Sequence, residues 1–407
     1  MINIDNVDFD NVTLSFGNES PMVLTFDTSI DTGVFMLVAE DANLTIDWGD
    51  GVVEQYTNPS DYITHTFPTS AVYTTQIYGT TNTLDISWNY NLTGVIDWGT
   101  LGIVIGDWMF DNCRNLEYVP NYLPSTMTSI RFLLSGTRQF NHPNVLDWDL
   151  SHVTDIGGLF YNTWIFNQPI GSWDVSNITI MDNLFAGALA FNQPIGSWNV
   201  SNVTDMSYMF NNNKVFNQDL SSWNTGAVTN MRNMFASTTF NQPIGNWNTS
   251  NVTNMYAMFA GTTFGGTFIT PFNQPIGNWD VSKVTNMSAM FQYSAFNQDI
   301  SLWNVGLVTD MSSMFNDSTF NQSINSWNVS SVTNMQGMFS GAQFNQPIGD
   351  WNTISVSNMG YMFWNATAFN QNLSTWCVSL IPSKPAGFDD GATSWSLSRP
   401  IWGTCPP

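Results

Sequence analysis

The sequence has little charge, very few basic residues, and little cysteine or histidine. Charged residues make up 10% of the 407 residues, and 8 Lys and Arg face 31 Asp and Glu, giving a formal net charge of −23. Nucleic acid is bound through clustered Lys and Arg, so this balance excludes it as an expected partner. Anionic lipid surfaces are disfavoured for the same reason. No apolar run is long enough for membrane insertion.

Three cysteines and three histidines leave little material for metal or catalytic chemistry. No Cys/His spacing typical of zinc occurs. Cys377 and Cys405 bracket the C-terminal segment, where a disulfide would staple it. His65, His142 and His152 lie outside the regular repeats and lack a Ser or Cys partner motif. We therefore expect no catalytic residue, no metal site and no cofactor, and we predict that the protein is not an enzyme.

A long internal repeat dominates the sequence. Ten tryptophans recur at intervals of 24 or 25 residues, with one interval of 32. A Phe-Asn pair precedes each Trp, and a Val-Thr-x-Met-x-x-Met-Phe block follows most of them, as in residues 191–210. A unit of this size cannot bury its own apolar face, so the period predicts a solenoid of stacked coils. The ten are Trp148, Trp173, Trp198, Trp223, Trp247, Trp279, Trp303, Trp327, Trp351 and Trp376.

Two spacings occur within each unit. Phe191, Ile195 and Trp198 are separated by polar residues, which is compatible with a short strand and its turn. The apolar residues of 203–210 follow at intervals of three and four, which favours a short helical turn with Ser201 as its N-cap. Equivalent side chains of stacked coils would lie about 4.8 Å apart and form internal columns of Phe, Ile, Trp, Val and Met.

The Asn of each Phe-Asn-Gln sequence is predicted to bond backbone groups of adjacent coils. Such a structural ladder would satisfy turn amides that are otherwise buried without a partner. Ligand binding is the alternative for these side chains, as a promiscuous groove is for the Met columns. The ladder comprises Asn192, Asn217, Asn241, Asn273, Asn297, Asn321 and Asn345.

The unit FNQPIGSWNVSNVTDMSYMF at 191–210 resembles the repeat of the BspA-like leucine-rich-repeat surface proteins of bacteria, and the resemblance covers roughly residues 105–376. Phe110, Cys113 and Leu116 resemble the F-x-x-C-x-x-L variant of the same superfamily. The resemblance implies an extracellular or cell-surface solenoid that takes part in adhesion and binds host or matrix proteins. Those proteins usually carry an export signal, whereas residues 1–5 have no basic start and no apolar stretch. Either a signal was removed, or the protein leaves the cell by another route.

The N-terminal region lacks the repeat. Residues 46–51 (IDWGDG), 65–67 (HTF) and 73–77 (YTTQI) resemble a PKD-type immunoglobulin-like sandwich, with a shortened first element and a Phe in place of a Tyr in the second. The Gly-Asp-Gly sequence predicts a tight turn. Asp47 and Asp50 are too few carboxylates for a calcium site.

These segments divide the chain into five predicted parts. They are an extended arm at 1–20, a PKD-like β-sandwich at 21–80, degenerate first coils and an N-terminal cap at 81–140, a leucine-rich-repeat-like solenoid of 24–25-residue units at 141–376, and a C-terminal cap at 377–407. The predicted fold class is therefore a repeat solenoid of leucine-rich-repeat type, with a short parallel strand plus a short helical turn per coil, preceded by an all-β sandwich domain.

Solenoids bind along an extended face, so we expect non-enzymatic adhesion or recognition of a protein or glycan on a cell surface. The 32-residue unit carries an extra apolar segment at 265–272, and insertions map to loops on one face. The candidate partner-binding loop is formed by Phe264, Phe268, Ile269 and Phe272, with folding back on the solenoid as its alternative. Variable polar positions are further candidates, or plain solvated turn residues: Ser197, Ser222, Asn246, Asn278 and Ser326.

A structural component of a phage or virus surface, such as a decoration or fibre protein, is the alternative function. The arm and the sandwich would then anchor to neighbouring virion subunits, and the solenoid would project from the virion surface. Contact of the arm with another chain would distinguish this function from that of a bacterial adhesin.

Overall fold

The computed structural model describes residues 19–38, 42–263 and 266–406. Nearly all of the predicted N-terminal arm lies outside these residues. The regular elements of the described part are eight β-strands, all before residue 98, and two short 3₁₀ helices, Pro143–Asp147 and Ile170–Ser172. No α-helix occurs in those ranges.

The strands form two open antiparallel sheets. One has five strands in the order β4-β3-β6-β1-β8, and the other has three in the order β5-β2-β7. In β1 the residues alternate between fully buried and half-buried, with Met22, Leu24 and Phe26 facing the core. The strands are β1 (Met22–Asp27), β2 (Gly33–Val38), β3 (Asn43–Asp47), β4 (Val53–Thr57), β5 (Ile63–Thr66), β6 (Val72–Thr80), β7 (Leu84–Asp85) and β8 (Leu92–Asp97).

Strand β8 connects the sheets to the repeats. It pairs antiparallel with β1 on one side. On the other side Gly94 forms a parallel bridge to Tyr118, and the backbone N–H of Val95 donates to the Tyr118 carbonyl at 3.0 Å. The sheets thus extend to Asp97, beyond the boundary predicted at residue 80, and their edge covers the first coil.

From residue 83 onward the chain forms a stack of coils joined by single-residue parallel bridges. Each bridge joins a residue to its equivalent in the next coil, as Asp205 to Asn230, and beyond Asp97 the described residues contain no longer strand. The bridge column consists of Ile105, Ser129, Asp155, Ile180, Asp205, Asn230, Asn254, Asn286, Asp310, Asn334 and Asn358.

The predicted leucine-rich-repeat fold class, with a strand and a helical turn in each coil, is wrong. The segment from Phe191 to Trp198 forms no strand, and the bridge lies further along, at Asp205. Val203 to Phe210 forms turns instead of a helix. Ser201 caps no helix, because its backbone N–H donates to Oδ1 of Asn199 in a local turn.

Left-handed backbone is the physical reason for the missing helical turn. Tyr208 has a φ of 58° and Asn212 a φ of 56°, so two residues of this coil, four positions apart, leave the right-handed region that a helix needs. Met209 N–H donates back to the Met206 carbonyl, which closes a single turn. The backbone N–H of Tyr208, one residue earlier, donates to the Arg232 carbonyl of the following coil at 2.7 Å. Turns that bond outward to the next coil therefore replace both predicted elements.

Aromatic and Met columns fill the interior. Trp303 and Trp327 stack with ring centroids 6.4 Å apart and planes 5° from parallel. Each indole N–H also donates to a carbonyl of the preceding coil, as Trp198 Nε1 does to Ile170 at 3.1 Å. Met290 is fully buried. Burial of apolar surface at about 25 cal/mol per Å² therefore acts along the whole stack.

The last coil is closed by rings that lie across the stack. Trp395 meets Phe369 edge-on, with centroids 4.8 Å apart and planes at 85°, so the column of parallel rings ends there. Its indole N–H donates to the Gln371 carbonyl at 2.8 Å. Cys377 and Cys405 form a disulfide across this region.

Candidate functional site

One surface of the stack carries three grooves. We call it the turn face; it is formed by the residues between and after the two Met of each unit, at 207–213 and equivalents. Grooves of about 330, 390 and 510 Å³ lie along it, at residues 108–183, 211–292 and 312–364. Their alignment follows from the left-handed turns, which form the same concave backbone in successive coils.

The middle groove, here the hairpin groove, combines an apolar floor with amide walls. Three alanines of one packed cluster, Ala236, Ala257 and Ala260, form its base, and Tyr256 packs against that cluster. Amide, hydroxyl and small apolar groups together suit a small polar ligand that has an apolar face. The lining consists of Asn211, Asn212, Asn233, Ala236, Ser237, Tyr256, Ala257, Ala260, Gly261, Thr262 and Gln292.

An arginine lies over the Tyr256 ring that lines this groove. The guanidinium carbon of Arg232 is 4.7 Å from the Tyr256 ring centroid and 5.5 Å from that of Tyr208, so rings from the coils on either side contact one cation. Arg232 is exposed, and within the described ranges no carboxylate lies within 4.0 Å of it. In the bridge column beside it, Asp205 already accepts from the Ser207 backbone and the Asn230 amide.

The described ends of the extra segment, residues 262–263 and 266–269, pair as a small hairpin at the rim of the groove. Thr262 and Phe268 form an antiparallel bridge with N–H to carbonyl distances of 3.1 and 2.7 Å. Phe268 is half-buried, and Lys214 Nζ lies 5.4 Å from its ring centroid. Ile269 is 53% exposed. The hairpin thus presents one apolar side chain to solvent and places a second cation nearby.

The structure places the insertion at residues 262–269, not at the predicted 265–272. Thr270 Oγ1 donates to the Phe259 carbonyl, the bond that Thr238 makes to Phe235 in the preceding unit. Thr270 therefore resumes the repeat.

The predicted loop residues therefore fall into different parts of the structure. Phe268 and Ile269 lie in the hairpin. Phe272 is 1% exposed and stacks between Phe240 and Phe296, so it belongs to the core and offers no surface to a partner. Phe264 lies outside the described residues.

The Asn side chains of the Phe-Asn-Gln sequences link successive coils. Asn217 N–H donates to Asn192 Oδ1 at 3.0 Å, and Gln218 Nε2 donates to the Asn192 carbonyl at 2.9 Å. The same Asn-to-Asn bond recurs from Asn141 to Asn370, where Ser396 N–H continues it into the cap. The ladder includes the predicted Asn192, Asn217, Asn241, Asn273, Asn297, Asn321 and Asn345, and none of them lines the hairpin groove.

The variable polar residues before each Trp are mostly engaged within the stack. Ser197 Oγ donates to the Gly171 carbonyl at 2.9 Å, and Ser222 and Ser326 make the equivalent bonds. Asn246 Nδ2 donates to the Ser221 carbonyl at 2.7 Å, while Asn278 is exposed.

At the groove at residues 108–183, on the same face, an arginine is paired with a carboxylate. Trp108 stacks on Phe132 at 3.9 Å. Arg131, beside them, donates through both terminal nitrogens to Asp182 at 2.6 Å. This hydrogen bond raises the pKa of Arg131. The charge of Arg131 is thus compensated, whereas that of Arg232 has no carboxylate partner among the described residues.

The histidines are bonded to separate groups. His65 Nε2 lies 2.8 Å from Asp50 Oδ2, and its ring stacks on Trp48 at 4.5 Å. His152 Nε2 lies 3.1 Å from the Pro124 carbonyl, and His142 Nδ1 accepts from a backbone N–H two residues on. Over the described ranges, no group of three or more His, Cys, Asp or Glu is arranged to hold a metal ion.

Sequence reasoning missed Tyr208, Arg232 and Tyr256. They occupy the variable positions between the two Met of three successive units. Arg232 and Tyr256 directly follow the first Met of their units, whereas Tyr208 is the second residue after it, so no single column of the repeat contains all three.

A protein-family model matches the repeats of this chain. The family described as "Mycoplasma protein of unknown function, DUF285" matches residues 81–187, 106–213, 159–270, 267–320 and 292–395, which together span more than half of the chain. The chain belongs to this family. No curated protein and no solved structure matches it. None of the helices in the described part has the length and apolar character needed to span a bilayer.

Proposed function

We propose that the protein is a non-enzymatic recognition protein, displayed outside the cell, that binds a glycan or a protein through its turn face. The observation that carries the proposal is the hairpin groove, which is lined by amide side chains, by Thr262 of the inserted hairpin and by Tyr256. Arg232 is not a lining residue, but its guanidinium carbon lies 4.7 Å from the ring centroid of Tyr256. Its volume of about 390 Å³ falls in the range of small-ligand sites. The resemblance of the repeat to BspA-like surface proteins supports display and adhesion.

The composition of the coils supports binding over chemistry. The conspicuous Trp, Phe and Met side chains are buried in columns, and the Asn side chains link coils. The side chains that line the hairpin groove include no paired nucleophile and base. This lining therefore favours binding over catalysis. Turnover of a substrate by purified protein, lost through one side-chain change that spares folding, would contradict this proposal.

Deletion of residues 262–269 tests the binding role. It leaves the sequence FAGTPFN, which matches FASTTFN at 235–241, so the coil should close and the thermal midpoint should stay close to that of the parent. We expect labelled parent protein to bind a glycan array or a host-matrix protein panel, and the deletion variant to lose most of that signal. Unchanged binding by the folded deletion variant would exclude the hairpin groove as the site.

Loss of stability with unchanged binding would instead mean that the hairpin serves its own coil.

A further inference from the structure

The chemistry around Arg232 selects a particular kind of ligand. We infer that the hairpin groove takes an acidic saccharide, with a uronate carboxylate paired to Arg232 and the sugar ring against the alanine floor. The inference rests on the proposed function, since it names the ligand class of the same groove.

The cation is scarce and held in place. The chain has 8 basic residues in all, and Arg232 is fixed between Tyr208 and Tyr256 without a described carboxylate partner. The guanidinium carbon lies within 5.5 Å of both ring centroids, and a guanidinium binds a carboxylate through two parallel N–H donors.

The net charge of −23 does not oppose a local anion site. Charges further away than about 8 Å are largely screened at physiological ionic strength. The carboxylate of Asp205, in the bridge column, accepts hydrogen bonds from Ser207 and Asn230 and does not line the groove. Lys214, on the hairpin side, adds a second positive charge.

The rest of the groove fits a sugar better than a protein surface. Asn and Gln side chains offer donors and acceptors at close spacing, which matches the hydroxyl groups of a saccharide. The floor of Ala236, Ala257 and Ala260 is apolar, as the C–H face of a pyranose is. A stable protein interface needs roughly 1,000 Å² or more, far beyond one groove of this size.

A matched pair of ligands isolates the carboxylate. Tetragalacturonate and its methyl ester differ in charge while sharing the sugar backbone. Isothermal titration of the full chain with each should show the acid binding at least tenfold more tightly. The advantage should shrink at 0.5 M salt.

Three variants assign the effect to Arg232. Arg232→Gln should reduce the acid-to-ester ratio to near one, without changing affinity for the ester. Arg232→Lys keeps the charge and loses the planar pair of guanidinium donors, so it should retain only part of the acid-to-ester affinity ratio. Lys283→Gln removes an equal charge where Lys283 contacts Asn251, away from the groove, and should leave the ratio unchanged.

The outcomes separate this inference from the proposed function. Equal affinity for acid and ester, or a ratio that survives Arg232→Gln, would overturn the acidic-saccharide assignment. Binding of a protein or neutral glycan that is lost on deletion of 262–269, with no binding of tetragalacturonate, would also overturn it while leaving the recognition function standing. Preference for a sulfated over a carboxylated tetrasaccharide would contradict the uronate.

Discussion

Met290 offers a direct test of how the coils are held together. Its side chain is fully buried, and so are the equivalent Met258 and Met314 in the coils on either side. Truncation of a buried Met to Ala costs about 2–5 kcal/mol. Met290→Asp loses the same contacts and adds a buried carboxyl without a designed partner, which raises the expected cost to roughly 4–8 kcal/mol. Whole domains are stable by only about 5–15 kcal/mol.

Urea unfolding followed by the fluorescence of the 18 tryptophans measures this cost. Met290→Leu conserves volume and should cost less than about 1.5 kcal/mol, so it serves as the matched control. Burial raises the pKa of the introduced carboxyl. The folded variant therefore binds more protons than its unfolded chain, and its deficit relative to the parent should shrink as the pH falls from 8 towards 5. A Met290→Asp variant that unfolds with the parent would show that the Met columns do not hold the stack.

Three further predictions concern the cap, acid and the Asn ladder. Replacing Cys377 and Cys405 by Ser removes the disulfide that closes a separation of 28 residues. This should destabilise the C-terminal region by roughly 3 kcal/mol. Hydrogen exchange of backbone amides in that region should then rise at a lower urea concentration than in the parent. Backbone and side-chain hydrogen bonds from the serine two residues on lower the pKa of Asp149, so its contribution is present above about pH 4 and is lost as the pH falls through the folded-state value; stability measured from pH 5 to pH 2 should drop, and a flat profile would contradict this. The same direction holds for Asp174, Asp219, Asp280 and Asp299. Asn297→Ala removes the acceptor of the Asn321 N–H and should cost about 1–3 kcal/mol, with faster hydrogen exchange at that amide; unchanged exchange would mean that the ladder is not stabilising.

The period of the tryptophans is strong enough to predict coils that stack, because only stacking buries ten equivalent rings. The local conformation of each coil could not be predicted from the residue pattern. A spacing of three between methionines fits a helical turn, but it also fits a turn closed by a left-handed residue. Tyr208 and Ala257 adopt positive φ, and neither residue type signals that conformation.

The insertion register was ambiguous for a different reason. Residues 262–264 repeat the Thr-Thr-Phe of residues 238–240, while residues 270–272 offer a second match. The structure uses the later copy, where Phe272 precedes Asn273 and enters the Phe column. The arginine site depends on side chains from three coils, and a single unit read alone gives no sign of it.

Hydrogen exchange of the full chain with and without tetragalacturonate tests whether recognition takes place in the hairpin groove. We expect new protection confined to amides at 207–214, 231–237 and 256–263, with none added along the Asn ladder. Binding that protects the Asn ladder instead, and leaves those three segments unchanged, would contradict it.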